Sequence, residues 1–240
     1  QKKDKSVFHK NPQFGRNERK KQPAASLYRV RRILLGSSLL AVAQRVRLVP
    51  AGLGLPRLSF RRPPTVHATG NDLWLFTGCV MDAWQRPTHL ATAEVLSHLG
   101  LGWSLPGRGG GCCGALHTHA GLADSARRLA SDVMRSMPGD APIVVDSAGC
   151  GAALKDYGHL LGTPEAEAFS ARVLDVHEFV ARYAERLRPQ RHLGAVIVQD
   201  PCHLRHVQKA HSAVRILLAQ VADVVELDDD GLCCGAGGAY

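Results

Sequence analysis

From residue 72 onward, the hydrophobic and polar positions follow two periods in turn. Short apolar runs rich in β-branched or aromatic residues, "DLWLFTG" and "APIVVDSAG", predict buried strands. Between them, apolar residues recur every three or four positions in "PTHLATAEVLSHLG" and "GLADSARRLASDVMRSM", which predicts helices. Strands that alternate with helices imply a parallel sheet covered on both faces. The pattern therefore predicts an α/β protein.

The alternation continues in the second half of the chain. "VLDVHEFVARYAERLR" predicts a short strand that leads into a helix. "GAVIVQD" predicts a further strand, and "VQKAHSAVRILLAQV" predicts the helix that follows it. We therefore expect a second α/β segment after the first.

The N-terminal part of the chain has a different pattern. Residues 1–23 are polar, basic and aperiodic, which predicts a disordered basic tail. Residues 24–67 predict a basic amphipathic linker helix and a boundary rich in Pro, Gly and Arg. The apolar positions of this helix are Leu27, Val30, Leu34, Leu39, Val42 and Val46. Such a helix is either a linker that packs on the rest of the complex, as amphipathic helices commonly do, or a contact with an anionic membrane surface.

The net charge of +9 is confined to the N-terminal part. Residues 1–67 hold 16 Lys and Arg against two acidic residues, a net of +14, whereas residues 68–240 carry a net charge of −5. Because the predicted folded part is mildly acidic, we expect no nucleic-acid partner. The sequence has no run of about 18 apolar residues, so we expect no transmembrane helix.

The seven cysteines follow a repeated spacing. Cys79 and Cys202 each follow a predicted strand and each stand about thirty residues before a Cys-Cys-Gly motif. The paired cysteines are Cys112 and Cys113 in the first half and Cys233 and Cys234 in the second. The repeat predicts two copies of one α/β unit, residues 68–190 and 191–240, and we expect the second copy to be incomplete.

The spacing of these cysteines indicates free thiols. Adjacent residues are poor disulfide partners, because their Cα atoms are only about 3.8 Å apart. The scattered spacing of a secreted disulfide framework is also missing. We therefore expect reduced thiols and a cytoplasmic protein.

Three uses of the thiols compete. Structural zinc usually takes ligands from two short CxxC motifs, and the sequence has none. A catalytic thiol relay could use adjacent cysteines but needs no further ones at matching distances. Iron–sulfur ligation accounts for the pairs, the single cysteines and the neighbouring glycines, whose backbone N–H groups can approach a bulky cluster. Cys79, Cys150 and Cys202 follow strands, where open α/β sheets place their ligand sites. Iron–sulfur ligation is the favoured interpretation.

Four motifs carry a resemblance to a known family: "GCCGALHTHAG", "SAGCGAALKDYGHLL", "QDPCHLRHVQK" and "CCGAGGAY". They resemble the cysteine-rich CCG domains shared by iron–sulfur subunits of glycolate oxidase, lactate utilisation, anaerobic glycerol-3-phosphate dehydrogenase and heterodisulfide reductase. The second and third motifs are most similar to the glycolate oxidase subunit.

The resemblance implies an electron-transfer subunit with 4Fe-4S clusters and no catalytic residue of its own. A flavoprotein partner carrying FAD would oxidise a 2-hydroxy acid such as glycolate, and electrons would leave toward a quinone or another acceptor. A peripheral contact with the inner face of the cytoplasmic membrane is a further expectation. Cys79, Cys112, Cys113 and Cys150 would bind one cluster. Cys202, Cys233 and Cys234 would begin a second site, whose last cysteine is expected past Tyr240.

Two departures from the family pattern are visible. Family members usually carry a ferredoxin-like module with CxxCxxCxxxCP motifs, which are missing here. In the heterodisulfide reductase pattern a second cysteine follows in CxxC, whereas Ala153 stands at that position after Cys150. A disulfide-reducing subunit, a glycerol-3-phosphate dehydrogenase subunit, and a zinc or thiol-switch docking module remain alternatives.

Histidines near the cysteines have two interpretations. His117 and His119 follow the first pair, and His203 and His206 follow Cys202. Histidine can replace cysteine on iron, but it more often lies outside the ligand set or at the surface.

Overall fold

The computed structural model describes residues 30–50, 58, 63–107 and 109–228. The tail expected for residues 1–23 lies outside the described residues, as do Cys233 and Cys234. The helices and strands follow one another as α1 (Val30–Arg45), β1 (Leu73–Phe76), α2 (Cys79–Trp84), α3 (Arg86–His98), β2 (Trp103–Ser104), α4 (Ala115–His119), α5 (Ala123–Ser136), β3 (Ile143–Val145), α6 (Ala148–Lys155), α7 (Tyr157–Leu161), α8 (Pro164–Ala171), β4 (Val173–Asp175), α9 (Val176–Ala181), a 3-10 helix (Ala184–Arg186), β5 (Ala195–Val198), a π-helix (His203–Gln208), α10 (His211–Leu218) and β6 (Asp223–Glu226).

The first sheet has four parallel strands in the order β2-β1-β3-β4. Leu75 of β1 pairs with Val144 of β3, and Val144 in turn pairs with Leu174 of β4. Every connection between these strands contains at least one helix, as a parallel sheet requires. The predicted α/β class is confirmed.

Both faces of this sheet are buried, which explains why its strands are nearly continuous apolar runs. One face packs against α3 and α9. The core on this side joins Leu73, Leu75 and Val144 of the sheet to Leu96 and Phe179 of the helices. The other face packs against α5 and α7. The core on that side joins Phe76, Ile143 and Val145 of the sheet to Val133 and Tyr157 of the helices. Side chains alternate between the two faces along β1 and β3, with the period of two that strands impose.

The second sheet consists of β5 and β6, which also pair in parallel, with Val196 opposite Val224. A strand, a cysteine, a helix and a parallel partner strand follow one another here, as they do from β1 through Cys79 and α3 to β2. The two parallel sheets agree with the predicted repeat. The exact boundaries at residues 68, 190 and 191 stay predictions.

Helix α1 lies within residues 24–67, the segment for which a basic amphipathic helix was predicted. It contains Val30, Leu34, Leu39 and Val42 and ends at Arg45, just before Val46, whereas Leu27 lies outside the described residues. Three of its apolar side chains, Leu39, Val42 and Val46, are exposed. The helix instead contacts α2 through small residues, Ser37 and Ala41, which are buried. Among the helices that the structure describes, none is both long and apolar enough to cross a bilayer.

Candidate metal centre

Four of the predicted cysteines meet beyond the carboxyl end of the first sheet. Cys79 opens helix α2 shortly after β1, and Cys150 lies in the first turn of α6, shortly after β3. Cys112 and Cys113 come between β2 and α4. Because β1, β2 and β3 are parallel neighbours, their carboxyl ends share one edge, and the loops that follow them converge there.

The four thiols form two hydrogen-bonded pairs. The Sγ of Cys113 lies 3.3 Å from the Sγ of Cys150 and donates to it. Cys79 donates a hydrogen bond to the sulfur of Cys112. Cys79, Cys112 and Cys113 are buried, and Cys150 is half-buried. The five described cysteines, including Cys202, are all free of disulfides.

The pairing divides the four thiols into proton donors and proton acceptors. Donation to Cys112 and burial raise the pKa of Cys79, and donation to Cys150 and burial raise the pKa of Cys113. Conversely, the hydrogen bond received from Cys79 lowers the pKa of Cys112, and those from Cys113 and Ser147 lower the pKa of Cys150. Cys112 and Cys150 are therefore the thiols that ionise most readily.

Two glycines shape the backbone around the thiols. Gly114 has φ +81°, a left-handed conformation that a side chain would strain, and it ends the loop from which helix α4 begins. Gly78 has φ +65°, and a Cβ there would lie 3.5 Å from the Sγ of Cys150. The glycine of the first Cys-Cys-Gly motif is thus required by the turn that presents the cysteines.

A buried tyrosine hydrogen-bonds to the backbone of the cysteine loop. The hydroxyl of Tyr157 donates a hydrogen bond of 2.8 Å to the carbonyl oxygen of Cys113. Burial raises the pKa of Tyr157, so its hydroxyl keeps the proton that it donates. Helix α7, which carries Tyr157, therefore fixes the position of the cysteine pair relative to the core.

The donor set suits a soft metal centre. Thiolates are the ligands that zinc, copper(I) and iron–sulfur clusters prefer. The 3.3 Å between the sulfurs of Cys113 and Cys150 is shorter than the roughly 3.8 Å implied by tetrahedral bonds of 2.3 Å to one metal ion. Accordingly, within the described ranges no three His, Cys, Asp or Glu side chains already have the spacing of a metal site. Binding requires the thiols to exchange their mutual hydrogen bonds for metal bonds and to move apart.

Cys202 occupies the corresponding position in the second unit. It precedes the π-helix after β5, and its Sγ lies 3.7 Å from the Nδ1 of the neighbouring His203. The ring of His203 stacks on His119 from the first unit, with centroids 5.7 Å apart. These two rings and Cys113 line a pocket of about 80 Å³ between α4, α6 and the π-helix. Of the predicted histidines, the structure thus brings His119 and His203 together at the junction of the two units.

Comparison with known proteins identifies the family. The model of the cysteine-rich domain family CCG matches residues 73–155 and 196–240, which contain all seven cysteines. The chain belongs to the CCG family. The two matched segments correspond to the two units that the cysteine spacing predicted, so the repeat of CCG motifs is confirmed.

Several curated relatives of this CCG chain are subunits of redox proteins. It is 32% identical over 74% of its length to the probable glycolate oxidase iron–sulfur subunit of Bacillus subtilis, and 31% identical over 75% to the glycolate oxidase iron–sulfur subunit of Escherichia coli. It is also 32% identical over 73% to a subunit of the dihydromethanophenazine:CoB–CoM heterodisulfide reductase of Methanosarcina barkeri. The chain covers only 42%, 46% and 46% of these three relatives, respectively, less than half of each.

One buried pair beside the CCG cysteines was missed by sequence reasoning. His89 of α3 donates through Nδ1 to Asp146, at 2.6 Å, and both side chains are 1% exposed. Thr92 donates to the same carboxylate oxygen, at 3.2 Å. Asp146 directly follows β3 and stands just before helix α6, which carries Cys150, and its charge opposes the lowering of the pKa of Cys150. The only available signal was His89 on the apolar face of a predicted helix, which does not by itself indicate a partner 57 residues away.

Proposed function

We propose that this chain is the iron–sulfur electron-transfer part of an oxidoreductase complex. The observation that carries the proposal is the meeting of Cys79, Cys112, Cys113 and Cys150 at one sheet edge, in a chain whose relatives include named iron–sulfur subunits. These four cysteines would hold one 4Fe-4S cluster, and Cys202, Cys233 and Cys234 would contribute to a second. A cluster of this kind supplies one-electron transfer when bound.

The protein's own residues would serve such a centre in three ways. Burial of Cys79, Cys112 and Cys113 limits the access of water to the sulfurs. Tyr157 fixes the backbone of Cys113, and the low-pKa thiols Cys112 and Cys150 are the first to offer thiolates. The chain would supply ligands and environment, and no residue of it would act on the substrate.

The finer assignment follows the relatives. We propose a glycolate oxidase-like complex, in which a flavoprotein 2-hydroxy acid dehydrogenase oxidises its substrate on FAD and passes the electrons to this chain. A quinone at the cytoplasmic membrane is the proposed acceptor, and the free thiols fit the reducing cytoplasm.

A single zinc ion is the second candidate, because one observation favours it. The 3.3 Å between two of the sulfurs is much closer to the edge of a tetrahedral zinc site than to the wider spacing of ligands around four irons. In that case the chain would be a structural docking module without a redox function.

Metal analysis of anaerobically purified protein separates these functions. We expect brown protein with about four irons and matching acid-labile sulfide for each complete site. Cys113→Ser should lose the iron of the first site while circular dichroism stays unchanged. Cys202→Ser, the same substitution at a half-buried cysteine of the second unit, should keep that iron.

Two results would count against iron–sulfur binding. Colourless protein with one zinc ion per chain would support the docking function instead. Full iron content in Cys113→Ser would remove Cys113 from the ligand set.

A further inference from the structure

Helix α1 exposes an apolar stripe on one side. Leu35, Leu39 and Val42 of α1 and Val46 just past its end are spaced four, three and four residues apart. The N–H of Val46 still donates to the Val42 carbonyl, so the four side chains share one helix face. Their exposed fractions are 63%, 64%, 47% and 59%, and Leu48 just beyond the helix is 76% exposed. Single exposed aliphatic side chains are ordinary, but a continuous row marks a surface that binds something.

The stripe is held outward by the opposite face of the helix. Ser37 and Ala41 are buried against α2, and the indole Nε1 of Trp84 donates to the Ser37 hydroxyl at 2.7 Å. Gln44 accepts a hydrogen bond from the backbone N–H of Leu58 at 3.0 Å. These contacts fix the rotation of α1, so the apolar stripe cannot turn toward the core without breaking them.

The net positive charge of the N-terminal region favours an anionic membrane as the partner of α1. Residues 1–67 carry a net charge of +14, whereas the remainder of the chain carries −5. Basic residues near an anionic bilayer are attracted to it, and helices that lie in the interface combine an apolar stripe with such residues. The acidic remainder would be repelled by the same surface, so the charge distribution also orients the molecule with α1 toward the lipid.

The composition of the stripe favours lipid over a protein partner. Its members are all Leu and Val, whereas the residues that dominate protein interfaces are Trp, Tyr and Arg. With 16 residues, α1 is also shorter than the roughly 20 needed to span a bilayer. We propose that α1 lies in the headgroup region of an anionic membrane and inserts Leu35, Leu39, Val42 and Val46 among the acyl chains.

Vesicle sedimentation tests this proposal on the full chain. We expect binding to vesicles of phosphatidylcholine mixed with phosphatidylglycerol, and weaker binding to phosphatidylcholine alone or at high salt. Leu39→Asp should lower the affinity about tenfold or more, because it removes a leucine from the apolar contact and adds repulsion. Ile216→Asp is the matched control, since Ile216 is 52% exposed on α10 outside the stripe, and it should bind as the unchanged protein does.

Three outcomes would overturn the membrane assignment. One is the lack of binding to the anionic vesicles, and another is equal binding by Leu39→Asp, which would assign the attraction to charge alone. A third is a dimer that Leu39→Asp converts to monomer without any vesicle binding, which would make the stripe a contact between copies. The proposal does not depend on the metal centre, so metal-free protein should bind the vesicles equally well. The result of the iron analysis, which tests the proposed electron-transfer function, is therefore independent of the result of the vesicle experiment.

Discussion

His89 and Asp146 form a buried polar pair beside the cysteine site. Both side chains are 1% exposed, and His89 Nε2 and Asp146 Oδ1 lack hydrogen-bond partners among the described residues. A buried carboxylate is tolerated only when it is paired, because removal from water disfavours its charge. His89 therefore permits an acidic residue just before the helix that carries Cys150.

Replacement of His89 by Leu should strongly destabilise the protein. The variant leaves the buried Asp146 carboxylate with the hydroxyl of Thr92 as its described side-chain partner, and removing the main partner of a buried carboxylate costs about 3–5 kcal/mol. Urea unfolding followed by circular dichroism measures the loss. His89→Asn should recover part of it, because its amide nitrogen takes a position close to that of the histidine Nδ1 and can still donate to Asp146.

Thr92→Val provides the control for this prediction. It removes one neutral donor from the same carboxylate and leaves His89 in place, so we expect a loss of only about 1–2 kcal/mol. Equal losses in His89→Leu and Thr92→Val would show that the histidine does not balance the carboxylate.

At the scale of elements, the contact between α6 and the π-helix joins the two cysteine units. The amide Nε2 of Gln208 donates to the carbonyl of Ala148 at 2.9 Å. Gly151 of α6 makes this approach possible, because a Cβ there would lie 2.8 Å from that Nε2. The helix that carries Cys150 and the one that follows Cys202 are thus fitted together by one small residue.

Substitution of Gly151 by Ala should weaken this contact. The added Cβ displaces the Gln208 amide and breaks its hydrogen bond to Ala148, a loss of about 1 kcal/mol that cancels the gain of up to about 1 kcal/mol in helix propensity. We therefore expect the unfolding free energy of Gly151→Ala to stay close to that of the unchanged protein. Among the described residues, nothing lies within 4 Å of a Cβ added at Gly149 in the same helix, so Gly149→Ala should be neutral or stabilising by up to about 1 kcal/mol. Thermal unfolding of the two variants gives the comparison, and a Gly151→Ala protein as stable as Gly149→Ala would contradict it.

At the scale of the whole molecule, Asp200 ties together the elements of the second unit. It is 3% exposed and accepts hydrogen bonds from Arg205 of the π-helix and Arg215 of α10. Arg215 also reaches Glu226 of β6, at 2.8 Å. Although burial raises the pKa of Asp200, the hydrogen bonds from Arg215 and Arg205 outweigh it and lower the pKa.

This network predicts a loss of stability in acid. Because the folded-state pKa of Asp200 lies below its ordinary value of 3.8, the unfolded chain takes up the proton first as the pH falls. The stabilisation is fully present above the unfolded value and disappears as the pH falls through the folded value. Asp200→Asn should be less stable at neutral pH and should lose less stability than the unchanged protein below about pH 4.

Urea unfolding across this pH range tests the prediction. Asp124→Asn, at a carboxylate that is 64% exposed, should follow the unchanged protein and serves as the control. Parallel curves for Asp200→Asn and the unchanged protein would show that Asp200 does not contribute to acid sensitivity.

Sequence patterns predicted the long, regular parts of the fold and most of the thiol site. β1, β3 and β5 are apolar runs, and α3 and α5 have clear helical spacing, so local pattern and final structure agree. The two-residue β2 and the short helices α7 and α8 were not predicted, because they are too short for a period to appear. The sequence pattern also did not indicate that α1 would pack on the protein through Ser37 and Ala41.

The amino-acid sequence by itself determined the α/β class, the repeat and which cysteines are candidate metal ligands. These features depend on periodicity and spacing along the chain, which each segment carries locally. Only the tertiary structure decided that Cys113 pairs with Cys150 and Cys79 with Cys112, that His89 balances Asp146, and which side of α1 faces outward. Those contacts join residues distant along the chain, and they are set by the order of strands in the sheet and by the packing of helices on it.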